Sequence, residues 1–169
     1  EKINVDIFYD NDSFDLTRQD NWLRQRNGKW EYKVRKHRLG NNTGTTIYDE
    51  LETEKEIVEK LGLPGIEPIE VEVKAAGYKP FSTIEKHRKS YLRGDFRIDL
   101  DECDFGYALG EIELLVEFED QQQTAIDRID ELANSLNLDQ KPVRAKVIEY
   151  LYRFSPNHYK ALQDAGVVE

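Results

Sequence analysis

Trp22-Leu23-Arg24-Gln25-Arg26-Asn27-Gly28-Lys29-Trp30-Glu31-Tyr32-Lys33 is the stretch that decides how this chain folds. Asn27-Gly28 lies between two runs of period two, and both residues tolerate the positive φ that a tight hairpin turn requires. With those two as the loop, Arg26 opposes Lys29, Arg24 opposes Glu31, and Trp22 opposes Lys33. Cross-strand partners share a face, so Arg24, Arg26, Lys29, Glu31 and Lys33 point one way, and Leu23, Gln25, Trp30 and Tyr32 the other. Two arrangements satisfy this pattern. The cations face water and the aromatics a core, as in any half-exposed antiparallel sheet. Alternatively the charged face lines the inside of a barrel, where two guanidiniums at i and i+2 suit phosphate oxygens.

At 169 residues the chain is expected to form a single domain, 1–169, with enough apolar content (38%) to bury a core. Nine Tyr, seven Phe and two Trp argue against disorder. No apolar run reaches membrane-spanning length, and the one cysteine, Cys103, forms no internal disulfide. A cytoplasmic, monomeric protein is the expectation. The net charge is −10, yet residues 22–38 hold seven Lys/Arg against one Glu. An acidic protein with one dense basic patch suits a small, highly charged anion and disfavours a nucleic acid, whose long backbone the rest of the surface would repel.

Taken in order, Ile3–Tyr9 alternates as a strand, and residues 10–15 carry turn chemistry. After the hairpin comes a loop rich in Asn, Gly and Thr, then a short strand at Ile47–Leu51. Thr53 and Glu56 have capping-box spacing for a helix to Leu61, with Gly62 as its C′ residue. Glu70–Lys74 alternates like a strand, but Pro68 before it and Ala75-Ala76-Gly77 after it favour a short helix. Phe81–Leu92 is a long strand with Lys86, Arg88 and Ser90 on one face. Asp95–Asp101 and Glu111–Glu117 are two more. Thr124 is placed to cap a helix through Leu136, Val143–Phe154 has a helical apolar stripe, and Ser155-Pro156 opens a third helix. The plan is α+β, with an antiparallel sheet and most helices at the C-terminal end.

Four strands thus combine an apolar face with a face of fixed charge. Arg24, Arg26, Lys33 and Arg88 supply cations, and Asp99, Asp101, Glu111 and Glu113 supply carboxylates. If the sheet closes with these inward, the polar lumen needs something bound to satisfy it. Carboxylates holding a divalent cation and cations holding a phosphate chain would do so, and they suit phosphoryl transfer. No Gly-rich phosphate loop, cysteine zinc cluster or nucleophile elbow is present, and His37, His87 and His158 are scattered.

These residues resemble a known family. Trp22–Arg26, Trp30–Lys33, Tyr48-Asp49-Glu50-Leu51, Lys86-His87-Arg88, Asp99-Leu100-Asp101, Asp104-Phe105-Gly106-Tyr107 and Gly110–Glu113 are similar, in this order, to the triphosphate tunnel (CYTH) family. Ala145-Lys146 with Tyr150–Phe154 extends the likeness to the branch that acts on thiamine triphosphate. The resemblance implies a closed eight-stranded antiparallel β-barrel, open at both ends with helices outside. It further implies a metal-dependent hydrolase that removes the terminal phosphate of thiamine triphosphate, with Mg²⁺ (or Mn²⁺) as cofactor. Inorganic tripolyphosphate hydrolysis, and a non-catalytic module binding polyphosphate or nucleotide, are the alternatives. By position, Arg24, Arg26, Lys33, Arg88 and Lys146 would clasp phosphate, and Asp99, Glu111 and Glu113 would hold metal. Glu50 and Asp101 would line the tunnel and orient these groups or water, and Trp22 would stack on the organic end. The resemblance places residue 1 after the family's opening Glu-x-Glu-x-Lys strand. Glu70–Lys74 has the letters at the wrong place, so a barrel with an open seam is expected.

Overall fold

The computed structural model describes residues 1–38, 46–116, 118–138 and 143–169. Of the basic stretch and loop expected over Arg35–Thr46, residues 35–38 and 46 belong to strands and 39–45 lie outside the described residues, as does the strand residue Glu117. Among the described residues seven strands form one antiparallel sheet: β1 (Lys2–Asp10), β2 (Trp22–Arg26), β3 (Lys29–Arg38), β4 (Thr46–Leu51), β5 (Lys79–Arg93), β6 (Phe96–Cys103) and β7 (Tyr107–Leu114). Their order is β4-β3-β2-β1-β5-β6-β7. Five α-helices accompany them: α1 (Glu54–Leu61), α2 (Ile69–Ala75), α3 (Gln122–Ser135), α4 (Lys146–Phe154) and α5 (Pro156–Asp164).

The central hairpin has the register that its turn chemistry dictates. Arg26 pairs with Lys29, Arg24 with Glu31 and Trp22 with Lys33, and the two turn residues hold φ of 50° and 82°. Asn27 also ties the turn to the neighbouring strand, its side-chain Oδ1 accepting the Val5 amide at 2.8 Å. Thr53 caps α1 by accepting the Glu56 amide, and Gly62 ends that helix at φ 68°. Residues 70–74 are helical, within α2. Thr124 is not a cap. A 3₁₀ turn at Glu119–Gln121 leads straight into α3, so Thr124 falls inside the first helical turn. Strand β7 starts earlier and ends sooner than its alternation predicts, and α4 begins at Lys146 rather than at Val143, which is exposed.

Side chains divide by sheet face. On the outer face Leu23, Trp30 and Tyr32 pack beneath α1 and α2 against Ile57, Ile69 and Val73. The inner face is unusual already in β1, where Asn4, Asp6, Phe8 and Asp10 are buried and Ile3, Val5, Ile7 and Tyr9 are the more exposed set. Farther along the same inner face, Phe8, Trp22, Ile84 and Cys103 are buried against Val147, Ile148 and Leu151 of α4 and Tyr159 and Leu162 of α5. Helices α4 and α5 therefore plug one end of the curl, where helices lying wholly outside an open-ended tunnel were expected. Burying this apolar surface stabilises the plug at about 25 cal/mol per Å². The expected closed eight-stranded barrel is met as a curled seven-stranded sheet. Its edge strands β4 and β7 both contribute side chains to one cavity but are not paired with each other among the described residues.

Candidate functional site: a cation-lined cavity inside the curled sheet

The charged part of the inner face encloses a cavity of about 610 Å³. Arg24, Arg26, Lys33, Lys86, Arg88 and Lys146 line it from four different elements, together with Glu31, Glu50, Glu111 and Glu113. Strand alternation explains the convergence. Asp6 pairs with Arg26 in the β1–β2 ladder, Arg88 with Asp101 in β5–β6, and Asp99 with Glu111 in β6–β7, so each of these residues stands on the inner side of the pleat.

Two ionic clusters hold the cations in place. In the first, Asp6 sits at the centre, 3% exposed. Arg26 donates to it from Nε at 2.7 Å and from Nη2 at 3.1 Å. Lys86 donates from Nζ at 2.6 Å, and Arg24 Nη1 lies 3.8 Å away. Burial alone would push the Asp6 carboxyl up. The Arg26 hydrogen bond and the charges of Arg24 and Lys86 outweigh it and hold the group well below the usual carboxylate range. Arg24 is fixed from its other side by Glu31, which accepts from Nε at 2.7 Å. Lys86 is 1% exposed, and its burial brings the ammonium down to about 8 despite Asp6.

In the second cluster Arg88 donates to both oxygens of Asp101 at 2.6 Å, a two-pronged fork. It also donates to Asp99, and to Glu111 at 3.2 Å. Lys146, the first residue of α4, places Nζ 3.0 Å from Asp101 and 2.6 Å from Glu111. The start of α4 is itself anchored, because Tyr107 Oη donates to the Arg144 carbonyl at 2.6 Å. Burial raises and Arg88 lowers the Asp101 carboxyl, which ends at about 2. Burial works against the Arg88 charge, but Asp101, Asp99 and Glu111 more than compensate and raise its pKa. Nearer solvent, Lys33 pairs with Glu50, and this hydrogen bond holds the Glu50 carboxyl below its ordinary value against the effect of burial.

The residues singled out from the sequence fall into three groups. Arg24, Arg26, Lys33, Arg88, Lys146, Glu50, Glu111 and Glu113 all line the cavity. Asp99 and Asp101 are fully buried in the wall behind Arg88. Trp22 shares their sheet face but not their cavity: it is 6% exposed, lies edge-on to Phe8 at 6.3 Å, and donates Nε1 to Asp20 at 2.9 Å. Sequence reasoning missed Asp6, Glu31, Lys86 and Tyr48 as parts of the site. For Lys86 the signal was present, two residues before Arg88 on the same face. Asp6 was hidden by the alternation of β1, whose apolar residues look like the inner set.

The donor set does not fit a side-chain metal site. Among the described residues no three His, Cys, Asp or Glu side chains are gathered to hold a metal ion. Of the three carboxylates assigned to metal, Asp99 is engaged by Arg88 and Arg97, Glu111 by Arg88 and Lys146, and Glu113 is exposed on edge strand β7.

Comparison with known proteins agrees with this geometry. The chain is 34% identical over 179 positions to thiamine-triphosphatase of Homo sapiens, spanning 95% of this chain and 77% of that protein. It is 33% identical over 184 positions to thiamine-triphosphatase of Macaca fascicularis, with the same coverage. Among solved structures, the PH1819 protein of Pyrococcus horikoshii OT3 superposes with a TM-score of 0.61 at 21% identity, covering 89% of this chain and 84% of that one. HpAC1 of Hippeastrum, described as having a dominant triphosphatase activity, does so with a TM-score of 0.51 at 16% identity, covering 89% and 81%. At these identities the structural likenesses speak for the fold alone. The CYTH domain model matches residues 3–145, the span that carries the strands from Ile3 onward and every cavity cation but Lys2 and Lys146, and the chain belongs to the CYTH domain family.

Proposed function

We propose that this protein hydrolyses the terminal phosphate of thiamine triphosphate, giving thiamine diphosphate and inorganic phosphate. The observation that carries the proposal is the convergence of eight Lys and Arg side chains, Lys2 and Arg97 among them, on one cavity, in a chain similar to thiamine-triphosphatases along most of its length. A triphosphate brings several negative charges into a space walled by protein, where fixed cations act more strongly than in water. Most of the cations in the cavity are already paired with carboxylates, so substrate binding is an exchange of partners. Phosphate oxygens replace Glu31 and Glu111 on the cavity side, while Asp6 and Asp101 stay behind Arg26 and Arg88 and keep their forks aimed inward. Holding the cations in neutralised pairs avoids the large cost of unpaired buried charge in the empty site.

In the reaction a water oxygen attacks the terminal phosphorus in line as the bond from that phosphorus to its bridging oxygen breaks, and the bridging oxygen leaves with thiamine diphosphate. The negative charge of the transition state spreads over the peripheral oxygens and the leaving group, where Arg24, Arg26, Lys86 and Arg88 meet it. Glu50, kept ionised by Lys33, lines the same cavity and is suited to orient the water by accepting its hydrogen bond.

A second reading has a specific observation in its favour. Trp22, the aromatic expected to grip an organic substrate, is sealed in the core, which suits hydrolysis of inorganic tripolyphosphate. Phosphate release from thiamine triphosphate, tripolyphosphate and ATP separates the readings. Preference for thiamine triphosphate is the expected result. Equal or greater rates on tripolyphosphate would transfer the assignment to the inorganic substrate. Tight binding of tripolyphosphate without turnover of any of the three would make the domain a binding module.

A further inference from the structure

The cavity has a second wall that the phosphate chemistry does not use. Opposite in character to the cations, Leu115 and Val116 after β7 and Ile126 and Ile129 on α3 present an apolar strip to the same space. Leu115 is 95% exposed and Val116 37% exposed, at the lip of a site otherwise dominated by charge. Exposed apolar side chains such as Leu115 and Val116, beside a cavity that buried Ile126 and half-buried Ile129 also line, point to a ligand. Helix α3 is held firmly enough to form a wall: Ala125 and Ile126 are buried, and Arg128 donates to Asp95 at 2.9 Å while lying 5.1 Å over the Phe96 ring.

Resting on the triphosphatase reading above, we propose that this strip is the subsite for the heteroaromatic ring system of a triphosphate monoester. Charge complementarity fixes the orientation of such a ligand. Its phosphates are held by the Arg and Lys wall, so its uncharged surface has to lie against the wall that remains. A space of about 610 Å³ is in the range that holds a whole small-molecule ligand, ring system included. Trp22 cannot take this part, since it packs beneath α4 and does not border the cavity. Within α3, Gln122 adds a polar group to the strip, able to hydrogen-bond a ring nitrogen or amine.

The test uses Ile129→Asn and Leu115→Asn in the full chain. Affinities for thiamine triphosphate and for tripolyphosphate are measured by calorimetry, beside phosphate release. Each variant is expected to weaken thiamine triphosphate roughly tenfold and tripolyphosphate by less than about twofold, in line with the loss of an apolar contact in a specificity pocket. Leu115, being almost wholly exposed, cannot unfold the protein when replaced, so that variant decides the matter even if Ile129→Asn is unstable. Equal weakening of both ligands, or unchanged affinity for thiamine triphosphate, overturns the subsite. Wild-type binding without turnover overturns the proposed function and leaves the affinity ratio to judge the subsite. Failure of the wild type to bind either ligand overturns both.

Discussion

Asp6, Arg24, Lys86 and Asp101 lie one pleat repeat from Phe8, Trp22, Ile84 and Cys103, on the same four strands and on the same face of the sheet. The first set lines or backs a polar cavity, and the second is sealed under α4 and α5. Both sets belong to the same antiparallel sheet, with a register shift in the β1–β5 ladder just past Phe8. What changes is the covering layer: where α4 and α5 press down, the inner face is apolar, and beyond the first residue of α4 it is ionic. Lys146 stands at that border, on the plug helix by sequence and in the ionic cluster by contact. These strands thus pass from apolar core to cavity wall within two residues.

The comparison can be broken most sharply at its two centres. Asp6→Ala leaves Lys86 and Arg26 buried without their carboxylate and should lower unfolding stability by about 3–5 kcal/mol in denaturant titration. Trp22→Ala should cost a comparable amount, about 3–5 kcal/mol, through a cavity in the plug. The two differ in a second readout. Among molecules that remain folded, the tryptophan variant should keep kcat/KM within a few-fold, since the side chain does not border the cavity. A selective rise in KM for thiamine triphosphate would return Trp22 to the binding surface.

Arg26→Ala should reduce kcat/KM at least 100-fold, about 2.7 kcal/mol of transition-state stabilisation, with a smaller effect on stability. Wild-type rates in this variant would mean that the ionic half is structural. The smallest effect concerns pH. The charged form of Lys86 is lost as pH rises through about 8, so kcat/KM should fall on that limb, and the fall should be absent in Lys86→Met. Its contribution to stability runs the other way. Between about 8 and its unfolded value of 10.5 the folded state has released a proton that the unfolded state still holds, so stability from this group rises with pH.

Much of this organisation was legible in local chemistry. Asn27-Gly28 fixed the hairpin register residue by residue, Thr53 with Gly62 bounded α1, and the charged alternation of β5, β6 and β7 put Arg88, Asp101, Glu111 and Glu113 on one side. Those signals need only a turn and a period. Burial needs the neighbouring layer, and there the reading failed. Asp6 and Asn4 looked like the solvent side of β1 because apolar residues usually mark the inside. Trp22 looked available because the helices that cover it lie more than a hundred residues later. The short 3₁₀ lead-in likewise starts α3 at Gln122, two residues ahead of Thr124, which therefore falls inside the helix.

The strand order carries a kinetic meaning. Every ladder in the sheet joins consecutive strands except β1–β5, and that junction is where Lys86 meets Asp6 across 80 residues of sequence. Two local meanders, β1–β4 and β5–β7, can each zip quickly from their turns, whereas docking one on the other closes a long loop and is the slow event. Each meander carries only part of the cavity's cation set, Arg24, Arg26 and Lys33 on the first and Lys86, Arg88 and Arg97 on the second. A refolding chain should therefore acquire most of its β-structure before it can recognise a phosphate, and a polyanion present during refolding should speed only the last phase.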